Sequence, residues 1–246
     1  MTTDLFSKQS SLYSVHRPGY PEDLYRFLAD ACPARRTAWD CATGNGQAAL
    51  DLSQHFERVI ATDLSETQLR NAAAVKNVEY RTLPAEAPLP EPDRSIDLVT
   101  VAQAIHWFDL PKFYAEAKRV LKADGVIAAW AYGFQAPIRP EIDRVLDAFH
   151  FETLGPFWKP NNRLIWNDYR DLDFPFREIP APRFRLAVEW TLAEWMGYVR
   201  TWSATQLYVD RHGVDPTLAV AEKIAPYWGE GKRAVEWNLA LRVGRP

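Results

Sequence analysis

The stretch Trp39-Asp40-Cys41-Ala42-Thr43-Gly44-Asn45-Gly46-Gln47-Ala48-Ala49 constrains this chain more than any other. A short apolar lead-in from Thr37 to Trp39 reads as a buried strand, and it ends in a carboxylate. Two glycines one residue apart follow, and Ala48, Ala49, Leu50 and Leu52 then open a helix-period pattern. Strand, glycine turn and helix in that order let backbone approach a nucleotide-like ligand at a helix N-terminus. Glycine suits such a turn because a Cβ would block the approach, or because the turn needs positive φ. Two readings follow. Gly44-x-Gly46-x-x-Ala49 satisfies a dinucleotide fingerprint, with Asp63 nineteen residues after Gly44 as a ribose-binding acid. The other reading weights Asp40, four residues before Gly44.

Strand and helix alternate five times through residue 130, which specifies a doubly wound α/β fold with a parallel sheet. Pro21 starts an amphipathic helix with Leu24, Phe27 and Leu28 on its apolar face. The glycine loop opens a helix running to about His55. Arg58–Asp63 is a second strand ending in an acid, followed by a helix over 65–74 that Ser65 can cap. Asn77–Leu83 is the third strand and Ser95–Val101 a fourth, apolar on both faces. The fourth strand leads into Gln103-Ala104-Ile105-His106-Trp107-Phe108-Asp109, which sets polar and aromatic groups at the sheet rim. A helix from Pro111 ends in the turn Lys122-Ala123-Asp124-Gly125, and Val126–Trp130 is the fifth strand.

Residues 133–182 break the rhythm with a helix near 141–154 and a segment rich in proline and aromatic residues. That segment is too long for an ordinary connection and reads as a cap over the sheet edge, hence a substrate cover. Its cations, Arg139, Arg144, Lys159, Arg163, Arg170 and Arg177, are candidates to meet an acidic substrate. The ten tryptophans, many of them beyond residue 150, hint at an aromatic-lined pocket. A strand over 184–190, helices over 192–202 and 216–225, and a closing strand over 233–243 complete the chain.

A formal net charge of -3 leaves no basic footprint for nucleic acid. No run approaches the roughly 20 apolar residues of a membrane span, and none near Met1 has signal-peptide length. Two cysteines, Cys32 and Cys41, are too few for a disulfide framework, so a cytoplasmic location is expected. The five histidines show no metal-ligand spacing, and no metal is expected.

The order Asp40-x-Ala42-x-Gly44-x-Gly46 resembles motif I of the class I S-adenosylmethionine-dependent methyltransferases. The motifs Tyr13…Arg17-Pro18-Gly19-Tyr20-Pro21, Asp63, Ala85-Glu86, Gln103–Asp109, Leu154-Gly155-Pro156-Phe157-Trp158 and Arg200-Thr201-Trp202-Ser203 narrow the likeness to the trans-aconitate methyltransferase-like group. Ala42 departs from a motif glycine, and the close approach survives if φ there is negative. The resemblance implies a Rossmann-like, seven-stranded, mostly parallel sheet with its last strand antiparallel. It implies one domain over 1–246, with an N-terminal cap over about 1–36 and the substrate cover over 133–182. For S-adenosylmethionine and its product S-adenosylhomocysteine it implies contacts from Tyr20, Asp40, Ala42, Gly44, Gly46, Gln47, Asp63, Leu64, Ala85, Glu86, Gln103 and Ala104. Ala85 and Glu86 would sit beside the adenine, and Asp63 would accept from the ribose hydroxyls. His106 and Arg17 take the catalytic places, and Tyr13, Trp107, Trp158 and Tyr169 face a small-molecule methyl acceptor. A carboxylate acceptor needs only cations to hold it, whereas a hydroxyl calls for a base such as His106. A nicotinamide oxidoreductase and a non-catalytic S-adenosylmethionine-binding protein are the alternatives.

Overall fold

The computed structural model describes residues 17–246. Helix α1 (Glu22–Ala31) buries Leu24, Tyr25, Leu28 and Ala29, and stops before Pro33. Strand β1 (Thr37–Cys41) runs into the glycine loop, and α2 (Gln47–Leu52) starts from Gly46 in the left-handed conformation. Next come β2 (Arg58–Asp63), α3 (Glu66–Arg70), β3 (Val78–Thr82) and β4 (Ile96–Ala102). The Oγ of Ser65 accepts from the N–H of Gln68 and caps α3, which leaves the neighbouring Asp63 carboxylate for other work.

Helix α4 (Leu110–Val120) passes directly into β5 (Leu121–Tyr132), so residues 122–125 are not the helical turn their sequence suggests. Two contacts draw them into the strand. Lys122 reaches the fully buried Asp97 of β4 at 2.6 Å. Gly125 packs so closely that a Cβ would lie 3.0 Å from the carbonyl oxygen of Lys122 and 3.1 Å from that of Ile96. The glycine serves close packing here, not a left-handed helix stop.

Beyond β5 lie α5 (Pro140–Asp147), a single π-turn over Ala148–Thr153, α6 (Asn162–Trp166) and β6 (Arg177–Glu178). Then follow β7 (Arg185–Trp190), α7 (Leu192–Arg200), α8 (Ser203–His212), α9 (Thr217–Trp228) and β8 (Arg233–Arg245). The strand order is β3-β2-β1-β4-β5-β8-β6, parallel from β3 to β5, with β8 antiparallel beside β5. That is the expected seven-stranded sheet. The strand β7 is additional and pairs with the first half of β8, from Arg233 to Asn238. One face of the sheet packs on α1, α2 and α7, and the other on α4 and the segment from Ile165 to Phe176. The expected helix over 192–202 ends at Arg200, and a helix the sequence did not suggest follows over Ser203–His212. The Thr201 hydroxyl donates to the Tyr198 carbonyl, and Trp202 turns extended before α8 begins. Among the described residues no helix is long and apolar enough to cross a membrane.

Candidate functional site

A cavity of about 400 Å³ opens at the C-terminal ends of the parallel strands, where open α/β sheets bind ligands. Its first wall is the loop after β1. Ala42, Gly44 and Gly46 all hold positive φ, at 56°, 58° and 83°. The condition of a negative φ at Ala42 is therefore not met, and an alanine carries the strain a glycine would avoid. The Thr43 N–H donates to the Thr62 carbonyl at 2.9 Å and ties the loop to β2. At the end of β2 the Asp63 carboxylate accepts from the N–H groups of Gly44 and Ser65, both at 2.8 Å. Gly44 lies on the cavity wall, with open space where a Cβ would stand.

The loop after β3 brings Ala85 and Glu86 to the wall, and Glu86 Oε1 accepts from the Asp109 N–H at 3.0 Å. That bond joins the two informative loops of the sequence. After β4, Gln103 turns left-handed at φ 57°, donates its N–H to the Trp130 carbonyl at 2.8 Å and its Nε2 to the Tyr132 carbonyl at 3.2 Å. The turn aims Ala104, His106 and Trp107 into the cavity. His106 is buried, with Nδ1 3.3 Å from the Tyr169 hydroxyl. Burial pushes its imidazole down to about 3, so it is neutral near pH 7. Arg17 lies opposite. Its Nε donates to the Thr201 hydroxyl at 2.9 Å, and its guanidinium sits 5.1 Å from the Tyr198 ring centre.

Most of the residues singled out in the sequence meet here: Arg17, Tyr20, Ala42, Gly44, Gln47, Asp63, Leu64, Ala85, Glu86, Gln103, Ala104, His106, Trp107 and Trp158 all line the cavity. Three do not. Asp40 is fully buried behind the loop, where it accepts from the hydroxyls of Thr43 and Thr100. Burial pushes its carboxyl up to about 6. Gly46 stands behind the wall against Tyr80, and Tyr169 is buried behind His106. Tyr13 lies outside the described residues. The cations at 139, 144, 159, 163, 170 and 177 are also absent from the wall, and among the described residues Arg17 is its only Lys or Arg.

Sequence reasoning missed Phe134, His150, Asn162, Trp166 and Tyr198, which form the aromatic half of the cavity together with Trp158 and Trp202. The tryptophans beyond residue 150 were the available signal, but they divide. Trp158, Trp166 and Trp202 face the cavity, whereas Trp195, Trp228 and Trp237 are buried core. Among the described residues no cluster of three or more His, Cys, Asp or Glu could hold a metal ion.

Comparison with known proteins bears directly on this geometry. A family profile for a methyltransferase domain matches residues 39–129, from the glycine loop through β5. A Dictyostelium discoideum protein named as a methyltransferase is 33% identical over 224 residues, spanning 90% of this chain and 85% of its own. A Saccharomyces cerevisiae protein named as an S-adenosylmethionine-dependent methyltransferase is 27% identical over 177 residues, 65% of this chain and 59% of its own. The solved structure of a type II methyltransferase from Anaeromyxobacter dehalogenans superposes with a TM-score of 0.84 at 40% identity, covering 93% of this chain and 97% of that one.

Proposed function

The chain belongs to the class I S-adenosylmethionine-dependent methyltransferases, and from that premise we propose that it methylates an oxygen, carboxylate or hydroxyl, of a small molecule. One observation carries the reading. A single cavity joins the Asp63–Glu86 half to an aromatic half under residues 133–182, so donor and acceptor would share one enclosed space. Its volume falls within the range of small-molecule sites. The formal charge of -3 supports no nucleic-acid partner, and the unpaired Cys32 and Cys41 fit a cytoplasmic setting.

The residues present fit the cofactor. The Asp63 carboxylate, Glu86 and the open side of Gly44 supply acceptors for ribose and adenine groups and room for close backbone approach. Bound S-adenosylmethionine supplies a methyl group on a positively charged sulfur, which needs no further activation. The protein's own work is then alignment and exclusion of water. Gln103 and Ala104 shape the turn between the two halves, Arg17 sets a cation beside them, and Trp107 and Trp158 narrow the acceptor space. A hydroxyl that gains a methyl group becomes strongly acidic. The neutral His106 can take that proton although its own affinity for protons is low.

The test is a thermal-shift titration with S-adenosylhomocysteine beside NAD and NADP, followed by transfer of labelled methyl groups to small carboxylic acids and alcohols. The carboxylate arm follows the motif likeness to the trans-aconitate methyltransferase-like group. A ligand at a hundred times its dissociation constant stabilises the fold by about 2.7 kcal/mol. Stabilisation by S-adenosylhomocysteine together with methyl transfer is the expected result. Stabilisation by a nicotinamide nucleotide alone would overturn the reading, and cofactor binding without transfer to any acceptor would favour a non-catalytic role.

A further inference from the structure

The aromatic half of the cavity holds two polar side chains with atoms that no group among the described residues satisfies. His150 is 4% exposed and Asn162 is 6% exposed, and both line the cavity. Among the described residues neither ring nitrogen of His150 has a hydrogen-bond partner, and neither does Oδ1 of Asn162. Leaving a buried polar group unpaired costs about 1–3 kcal/mol, so such groups beside a cavity point to a ligand that completes them. The π-turn over Ala148–Thr153 is what brings His150 inward. Single π-turns are frequent at functional sites.

The surroundings select the ligand. The Trp158 ring stacks on the imidazole at 4.6 Å and 27°, and the Phe134, Trp166 and Trp202 rings lie 4.3, 5.4 and 5.7 Å away. Flat rings lining a slot accept a flat ring. A neutral imidazole offers one donor and one acceptor, and an amide oxygen only accepts. A hydroxyl can accept a hydrogen bond from the imidazole N–H and donate one to Asn162 Oδ1, which meets one ring nitrogen and the amide oxygen. A carboxylate cannot donate, so it would leave Asn162 Oδ1 unmet. It would also face the electron-rich faces of the rings, with the guanidinium of Arg17 engaged on Thr201 and Tyr198. We propose that the acceptor is an aromatic ring bearing a hydroxyl group, held by hydrogen bonds to His150 and Asn162 between the rings of this slot. The inference rests on the methyltransferase reading of the site and narrows its acceptor class. Phe134, which covers the imidazole, is 39% exposed, and its neighbour Phe151 is 58% exposed, so the ring over His150 is on the solvent side.

The test uses 2-naphthol and 2-naphthoate as fluorescent probes of the full chain saturated with S-adenosylhomocysteine. The wild-type protein should bind 2-naphthol saturably, at least about tenfold more tightly than 2-naphthoate. His150→Phe keeps the ring and removes both nitrogens, and Asn162→Leu removes the amide. Each should weaken 2-naphthol binding about tenfold and leave affinity for S-adenosylhomocysteine unchanged. His150→Phe should melt no lower than wild type, which separates lost recognition from lost folding. Equal affinity for 2-naphthoate, no saturable binding of 2-naphthol, or unaltered binding in His150→Phe would each overturn the proposal. Failure of S-adenosylhomocysteine to bind would instead sink the methyltransferase reading, and the proposal with it.

Discussion

Gly46 offers a perturbation whose magnitude follows from its surroundings. Its φ is 83°, and a Cβ there would lie 2.6 Å from the Tyr80 hydroxyl, 3.0 Å from Tyr80 Cε1 and 3.2 Å from Ala72 Cβ. Gly46→Ala therefore forces a left-handed alanine, at about 1–2 kcal/mol. It also displaces a tyrosine whose hydroxyl donates to the Ala73 carbonyl at 3.0 Å, a bond worth about 1 kcal/mol. The smaller entropy of the unfolded alanine chain returns about 0.4–1 kcal/mol. The net loss is about 2 kcal/mol. At about 2–4 °C per kcal/mol for a chain of this size, Tm should fall by about 4–8 °C. Thermal unfolding measures the fall. A calorimetric titration with S-adenosylhomocysteine well below Tm should show affinity within about threefold of wild type, because Gly46 is behind the cavity wall. Tyr80→Phe removes the nearest atom of the clash, so Gly46→Ala should cost less in that background. An unchanged Tm would refute the steric reasoning. A collapse of affinity at unchanged Tm would show that Gly46 touches the ligand after all.

Asp63→Ala should weaken S-adenosylhomocysteine binding at least about tenfold by calorimetry, and should lower Tm because the N–H groups of Gly44 and Ser65 lose their acceptor. Unchanged affinity would remove Asp63 from the cofactor site. His106→Ala should slow turnover while leaving that affinity near wild type, and full activity would make His106 a packing residue. Burial pushes the His150 imidazole down to about 4, below its unfolded value of about 6.5. Its share of stability is therefore complete above about pH 6.5 and is lost as pH falls toward 4. His150→Phe lacks that loss, so its stability relative to wild type should rise by up to about 2 kcal/mol between pH 7 and pH 5, at about 1.36 kcal/mol per unit over about 1.5 units. Parallel denaturant curves at the two pH values would show a gap that widens, and a constant gap would contradict the depressed value.

The sheet and its rim were legible because their signals are local. Glycines after a strand, acids at strand ends and the polar-aromatic run at 103–109 each mark a strand's C-terminal edge, and the parallel topology gathers those edges. Sequence does not tell which side of the wall a motif residue takes. Asp40 at the end of β1 and Gly46 in the loop belong to the same motif as Gly44, yet of the three only Gly44 faces the cavity. Alternation along the loop is broken by three left-handed residues, so spacing does not map to direction there. The aromatic half was the least legible. Its residues come from the end of β5, a π-turn, α6 and the break between α7 and α8, and each depends on a departure from a regular period. Thr201 shows how such a departure arises. Its hydroxyl donates to the Tyr198 carbonyl and accepts from Arg17, and the helix predicted to run through it ends there.

The two halves of the cavity differ in how their polar groups are satisfied, and that difference bears on what each is for. Around the glycine loop two carboxylates act in tandem. Asp40 ties the loop to β4 through the hydroxyls of Thr43 and Thr100, and Asp63 holds the N–H groups of Gly44 and Ser65. Together with the bond from Thr43 to the Thr62 carbonyl, they hold Ala42 in a left-handed conformation that an alanine does not choose. A loop fixed so firmly offers one shape, suited to a ligand part that is the same in every turnover. The opposite half leaves the ring nitrogens of His150 and Oδ1 of Asn162 without partners among the described residues, amid closely spaced rings. Their unmet hydrogen bonds can be completed only by what enters. On the proposed reading, selectivity for the acceptor resides in the late, irregular part of the chain, and the glycine loop and strand ends hold the methyl donor.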